Sequence, residues 1–162
     1  MRRLLEITII MAIIWLYGCS HVILKDILKE VDTKITFVEL QREPQAYREK
    51  LVLLGGVIVK AVNKKDGTLI EVYQTEMDRM GRPIKVDVSK GRFLAHYNGF
   101  LDSEIYRKYR KVTIVGIVKG EKIKRLGEIE YHYPYLLIKD IYLWIEQLLP
   151  IYEPYPWSLW DY

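Results

Sequence analysis

Four residues near the start of the chain, Leu16-Tyr17-Gly18-Cys19, carry its clearest chemistry. Cys19 is the one cysteine in 162 residues, and it follows a small residue and an apolar run, the setting in which a signal peptidase cuts and a thiol takes on lipid. Arg2 and Arg3 supply the positive n-region, and Ile7 to Leu16 supply an apolar segment of about ten residues. A helix that crosses a bilayer needs roughly twenty apolar residues. Residues 1–18 are therefore expected to be a signal peptide that is removed, leaving lipid on Cys19 as the membrane anchor. Glu6 interrupts the apolar run, and Tyr17 is bulkier than the usual residue two before the cysteine.

Other reactive side chains lack the spacing that chemistry requires. His21, His96 and His132 stand far apart, without the short His or Cys spacing that holds zinc. Ser89 and Ser103 lie in no nucleophile elbow, and no histidine sits in an obvious partner motif. Asp87 and Asp102 read as loop carboxylates that cap turns rather than as an acid–base pair. The expectation is a protein with no catalytic residue, no metal and no cofactor. Gly91-Arg92-Phe93 is the most distinctive interior motif. Arg92 at a strand start is expected to pair with Asp102, and contact with an anionic ligand is its sharper alternative role.

The formal charge of +4 falls to +3 once Arg2, Arg3 and Glu6 leave with the signal. Lysine and arginine alternate with aspartate and glutamate along most segments, a mixed solvated surface rather than the clustered excess of a nucleic-acid binder. A single cysteine excludes an internal disulfide. The 144 residues that remain after position 18 suffice for one domain stabilised by its own core.

The elements that must form that core can be placed in order. Residues 19–35 hold the lipidated cysteine and either a tether or a short helix, with Val22, Ile23, Ile27, Leu28 and Val31 at helical spacing. Thr36-Phe37-Val38-Glu39 has the pattern of a capping box, so a helix of two or three turns should follow, and Pro44 should kink it or restart it. Leu51 to Val62 reads as a strand broken by Gly55-Gly56, a pair expected at a sharp bend or close backbone approach rather than at a phosphate cradle. Asn63 to Gly67 is a turn, and Thr68 to Gln74 alternates as the second strand of a hairpin. Further strands are predicted over Gly91 to Tyr97, Lys111 to Lys119, Gly127 to Tyr133 and Tyr135 to Trp144. One helical turn could lie in Ser103 to Lys108. Five or six short strands with turns between them favour a small antiparallel OB-like barrel over residues 36–146. Residues 147–162 form a separate tail, where Tyr152, Tyr155, Trp157, Trp160 and Tyr162 interleave with Pro150, Pro154 and Pro156. Such a tail can fold back on the barrel, meet a partner, or lie at a lipid interface.

Read together, the lipobox, Leu54-Gly55-Gly56-Val57-Ile58, Asn63 before a charged turn, Glu71-Val72, Ser89-Lys90-Gly91-Arg92-Phe93, Gly99-Phe100-Leu101-Asp102, Val112-Thr113-Ile114-Val115-Gly116 and Gly127-Glu128 followed by Tyr131 to Pro134 resemble the Slp family of outer-membrane lipoproteins. The likeness runs from about Cys19 to Trp144. It implies an acylated cysteine, a periplasm-facing β domain, an association with starvation or stationary-phase stress, and no known catalytic residue. The chain departs from the family in Tyr17 and in Arg48-Glu49, where the family commonly has a glycine before Lys50. Ser20 stands where an aspartate would typically retain a lipoprotein in the inner membrane, so the resemblance favours the outer membrane.

Two functions follow as expectations. One is a structural or interaction role, with the barrel held at the membrane by lipid on Cys19 and facing an unidentified envelope protein. The other is a module that binds an envelope ligand such as a glycan, using exposed rings among the thirteen tyrosines or Trp144.

Overall fold

The computed structural model describes residues 25–145; Leu16, Tyr17, Gly18, Cys19 and the tail from Pro150 onward lie outside them. A short helix, α1 (Lys25–Glu30), leads into Asp32, whose N–H donates to the Leu51 carbonyl at 2.9 Å. Helix α2 (Phe37–Arg42) begins with both bonds of the predicted capping box: Thr36 Oγ1 accepts from Glu39 N–H, and the Glu39 carboxylate accepts from Thr36 N–H. It is shorter than expected. Glu43 leaves helical geometry, and Pro44 restarts the chain at the first position of a 3-10 turn, Pro44–Tyr47. Phe37 and Leu40 of α2 point into the main core, where Phe37 meets Phe93 with ring centroids 6.1 Å apart.

Five strands follow: β1 (Leu51–Lys64), β2 (Gly67–Thr75), β3 (Arg92–Tyr97), β4 (Lys111–Leu126) and β5 (Ile129–Leu143). They close a barrel in the order β1-β2-β3-β5-β4. Four of the pairings are antiparallel, as expected, while β3 and β5 run parallel through Leu94 opposite Tyr135 and His96 opposite Leu137. Alternation fills the interior. Ile58, Ile70, Val72, Phe93, Val112, Ile114 and Leu136 are fully buried there, and each such side chain contributes roughly 1.5–3 kcal/mol of transfer free energy.

Strand β1 is not broken at its glycines. Gly55 and Gly56 lie where β1 is paired on both sides, opposite Thr75 and Gln74 of β2 and opposite Thr113 and Val112 of β4. A Cβ on Gly56 would come within 2.6 Å of Val72 Cγ1, so the close approach expected of this pair is the observed one. The two strands predicted around Pro134 are a single β5. Between Val118 and Glu121, β4 advances three residues while β5 advances two, from Leu136 to Pro134, and Gly120 takes φ 101° in the resulting bulge. A proline without an N–H is tolerated at such an interruption of the ladder, and so the strand continues. The connection from β3 to β4 consists of turns, without the helical turn considered for Ser103 to Lys108.

Candidate ligand-binding face

The outward-facing residues of β2, β3 and β5 do not form the polar, solvated surface common on small barrels. Leu69, Leu94 and Tyr133 make a second buried cluster there, flanked by Tyr131 and Tyr135. Register explains the grouping. Leu69 opposes His96, Glu71 opposes Leu94, and Leu94 opposes Tyr135, so all of them share one face of the sheet. Strand β1 adds Lys60 and Val62 opposite Glu71 and Leu69, and β4 adds Lys122 and Lys124 opposite Tyr133 and Tyr131.

The far end of the β4–β5 hairpin is held over this face by Tyr131. Its hydroxyl accepts from Arg92 N–H at 2.9 Å and from Gln41 Nε2 at 2.5 Å, tying the hairpin to β3 and α2. Gly91, with φ 142°, makes room for that junction, since a Cβ there would lie 2.7 Å from the Tyr131 hydroxyl. Tyr131 and Tyr133 then pack at 4.6 Å between ring centroids.

Arg92 does not pair with Asp102. Its Nη1 lies 2.8 Å from Glu71 Oε1, and the Tyr133 hydroxyl donates to the same oxygen at 3.2 Å. The reason is geometric: Glu71 is the diagonal cross-strand neighbour of Arg92, whereas Asp102 lies beyond the end of β3. Asp102 instead caps its own turn, with Oδ1 accepting from Glu104 N–H at 2.8 Å. The Glu71 bond holds the Arg92 pKa above its ordinary value, and burial, followed by the Glu71 charge, pushes the Tyr133 phenol up.

A cleft of about 160 Å³ opens on this face, lined by Lys60, Val62, Leu69, Glu71, Leu94 and Lys124. Burial lowers the Lys124 pKa, and the positive charges of Lys64, Lys122 and Lys60 lower it further, partly opposed by Glu71. Lys122 places its ammonium 3.7 Å from the centre of the Tyr135 ring, and the His96 ring lies nearly parallel to Tyr135 with centroids 6.5 Å apart. His96 is 9 % exposed, and its Nε2 has no hydrogen-bond partner among the described residues.

The remaining sequence-predicted residues serve the fold. Gly99 packs against the Tyr97 ring, and Leu101 is buried in the main core. The Gly99 carbonyl and Leu101 N–H both bond Thr68 Oγ1, at 3.0 and 2.9 Å. Phe100 between them is 73 % exposed beside the β1–β2 turn. Trp144, considered above as a stacking platform, is committed elsewhere: its Nε1 donates to Thr113 Oγ1 at 2.9 Å, and Arg82 covers the ring at 5.8 Å. Among the described residues no three His, Cys, Asp or Glu side chains converge to hold a metal ion, and no helix is long and apolar enough to cross a membrane. Sequence reasoning missed the aromatic face itself. Its signal was present as the period-two row Tyr131, Tyr133, Tyr135, which the assumed break at Pro134 divided between two strands.

A family model described as "Outer membrane lipoprotein Slp family" matches residues 16–162. The chain belongs to the Slp family. It is 29% identical over 131 residues to the outer membrane protein Slp of Escherichia coli K12, covering 81% of this chain and 68% of that protein. The uncharacterized lipoprotein YeaY of the same organism is 29% identical over 125 residues, 77% of this chain and 64% of its own length. An uncharacterized protein of Haemophilus influenzae is 30% identical over 113 residues, 69% of this chain and 60% of its own length. The chain thus aligns with about two thirds of each relative.

Glu49, just before Lys50, adopts φ 64°. Left-handed backbone costs a residue with a Cβ. Here the conformation is secured by Glu49 N–H donating to the Val118 carbonyl at 2.8 Å and by the side chain bonding Lys119 Nζ.

Proposed function

We propose that this Slp-family chain is a lipid-tethered binding module of the cell envelope. Acyl chains on Cys19 hold it at the outer membrane, the barrel faces the periplasm, and the face of β2, β3 and β5 engages an envelope glycan. Each buried methylene adds about 0.8 kcal/mol, so several acyl chains suffice for lasting attachment while the barrel stays in water. The module works by binding, without catalysis, and serves the cell during starvation or stationary phase.

The observation that carries this reading is the outer face itself. Tyr131 and Tyr135 stand partly exposed there, beside Lys60 and Lys124 and above the buried Leu69, Leu94, Tyr133 and His96, on strands whose inner face already supplies the core. OB-like barrels use the corresponding strands for oligosaccharides and oligonucleotides, and an extracytoplasmic location leaves the saccharide. Apolar and aromatic surface edged with a few fixed polar groups is the common make-up of a small-ligand site.

Retention on immobilised envelope glycan tests it. The full chain should be retained, Tyr135→Ala should lose most of that retention at unchanged membrane attachment, and Cys19→Ala should release the protein from the membrane and abolish palmitate labelling. Retention unaffected by Tyr135→Ala would refute the assigned face. Membrane attachment that survives Cys19→Ala would refute the lipid tether.

A further inference from the structure

The cleft beside Glu71 has a charge balance that narrows the ligand. Of its six lining residues, Val62 provides exposed apolar surface above the buried Leu69 and Leu94, while Lys60, Lys124 and Glu71 provide the polar groups. Glu71 offsets those lysines only in part. Its Oε1 is taken by Arg92 and by the Tyr133 hydroxyl, and among the described residues neither Lys60 nor Lys124 has a carboxylate in ion-pair contact. Lys64 and Lys122 lie close enough to add to the same positive potential. Like charges gathered around partly desolvated space repel one another, and a bound anion would relieve that repulsion.

Size and polarity narrow it again. A volume of about 160 Å³ lies below the roughly 300–1,000 Å³ of pockets that take drug-sized ligands. That admits one ring with its substituents, not a folded partner or a helix. A pyranose offers an apolar C–H face to Val62, and polar groups at its edge to the lysines. Glu71 Oε2, with no hydrogen-bond partner among the described residues, can accept from a sugar hydroxyl.

From these features we infer that the cleft binds a single acidic sugar residue, whose phosphate or carboxylate lies between Lys60 and Lys124 while its ring rests on Val62. This rests on the glycan reading above and assigns it a ligand class. Phosphorylated and carboxylated saccharides share the required chemistry, and either satisfies the lysines.

The test is an NMR titration of the isotope-labelled full chain in detergent with glucose 6-phosphate, glucuronate and glucose. Resonances of Leu69, Leu94 and Lys124 should shift with the two charged sugars and respond at least tenfold more weakly to glucose. Raising the salt should weaken the charged ligands only. The double variant Lys60→Gln, Lys124→Gln should lose at least tenfold in affinity for them at a melting temperature no lower than wild type, since it removes like charges that repel one another. Preference for glucose 6-phosphate would point to phosphorylated envelope sugars, preference for glucuronate to carboxylated ones, and both results support the inference. Equal response to glucose overturns the acidic ligand while leaving glycan binding in place. No response to any of the three, in a chain that still binds immobilised glycan through Tyr135, overturns the cleft alone. Absence of both overturns the glycan reading with it.

Discussion

The two faces of β2 and β3 are built from the same strands and do opposite things. Inward, Ile70, Val72, Phe93 and Ala95 are fully buried and carry no polar side-chain atom. Outward, Leu69, Glu71, Arg92, Leu94 and His96 interleave apolar surface with an ion pair and an aromatic flank. A barrel needs only the first set to fold. Because alternation is strict along a strand, the second set is free to be solvated, yet here a long hairpin is bent over it and secured by Tyr131. The contrast separates residues that hold the structure from residues the structure holds in position.

Changes to the inner face should cost the most. Phe93→Ala removes the ring that joins the barrel to α2, and a loss of about 3–5 kcal/mol in denaturant unfolding is expected. A loss below about 1 kcal/mol would show that the core does not depend on that contact. Next comes the ion pair at the edge of the outer face. Arg92→Ala should cost about 2 kcal/mol, the scale of a partly buried hydrogen bond to a charged group. In a double-mutant cycle with Glu71→Gln the two changes should be strongly non-additive, while Asp102→Asn should add independently to Arg92→Ala. The reverse pattern would restore Asp102 as the partner.

Thr68→Val tests the buried hydroxyl that bonds Leu101 N–H and the Gly99 carbonyl. About 1–2 kcal/mol should be lost, with faster amide exchange at Leu101 as the local signature. The smallest effect belongs to Lys124. Its pKa in the fold lies below the ordinary 10.5, so the folded protein releases this proton before the unfolded chain does. The charged form is therefore disfavoured by folding, and the contribution of Lys124 to stability rises as pH climbs through its folded pKa towards 10.5. Comparison of wild type with Lys124→Gln over that window isolates the effect from Tyr133, whose raised pKa acts in the opposite direction. A difference that falls with rising pH would contradict the burial and the lysine cluster together.

Local features were the legible ones. Thr36 and Glu39 announce their capping box within four residues, and Pro44 restarts the chain where its fixed φ suits a first helical position. The turn between β1 and β2 and the close approach at Gly55-Gly56 could be read for the same reason: each depends on backbone constraints of adjacent residues. What escaped depends on contacts distant in sequence. Nothing near Arg92 favours Glu71 over Asp102 until β2 and β3 are placed in register. The parallel pairing of β3 with β5 is decided by barrel closure, and the continuity of β5 through Pro134 is decided by a bulge on β4. The candidate face was divided by that same proline, so its tyrosines were not seen as one row. The position of Cys19 and the tail aromatics lie outside the described residues.

Site-specific photo-crosslinking in the native envelope is the most direct test of the outer face. A photoreactive residue replacing Val62, at the rim of the cleft, should yield an adduct carrying carbohydrate, whereas the same residue replacing Glu43, exposed at the end of α2, should not. Carbohydrate captured equally from both positions, or from position 43 alone, would contradict the assignment of ligand binding to the face of β2, β3 and β5.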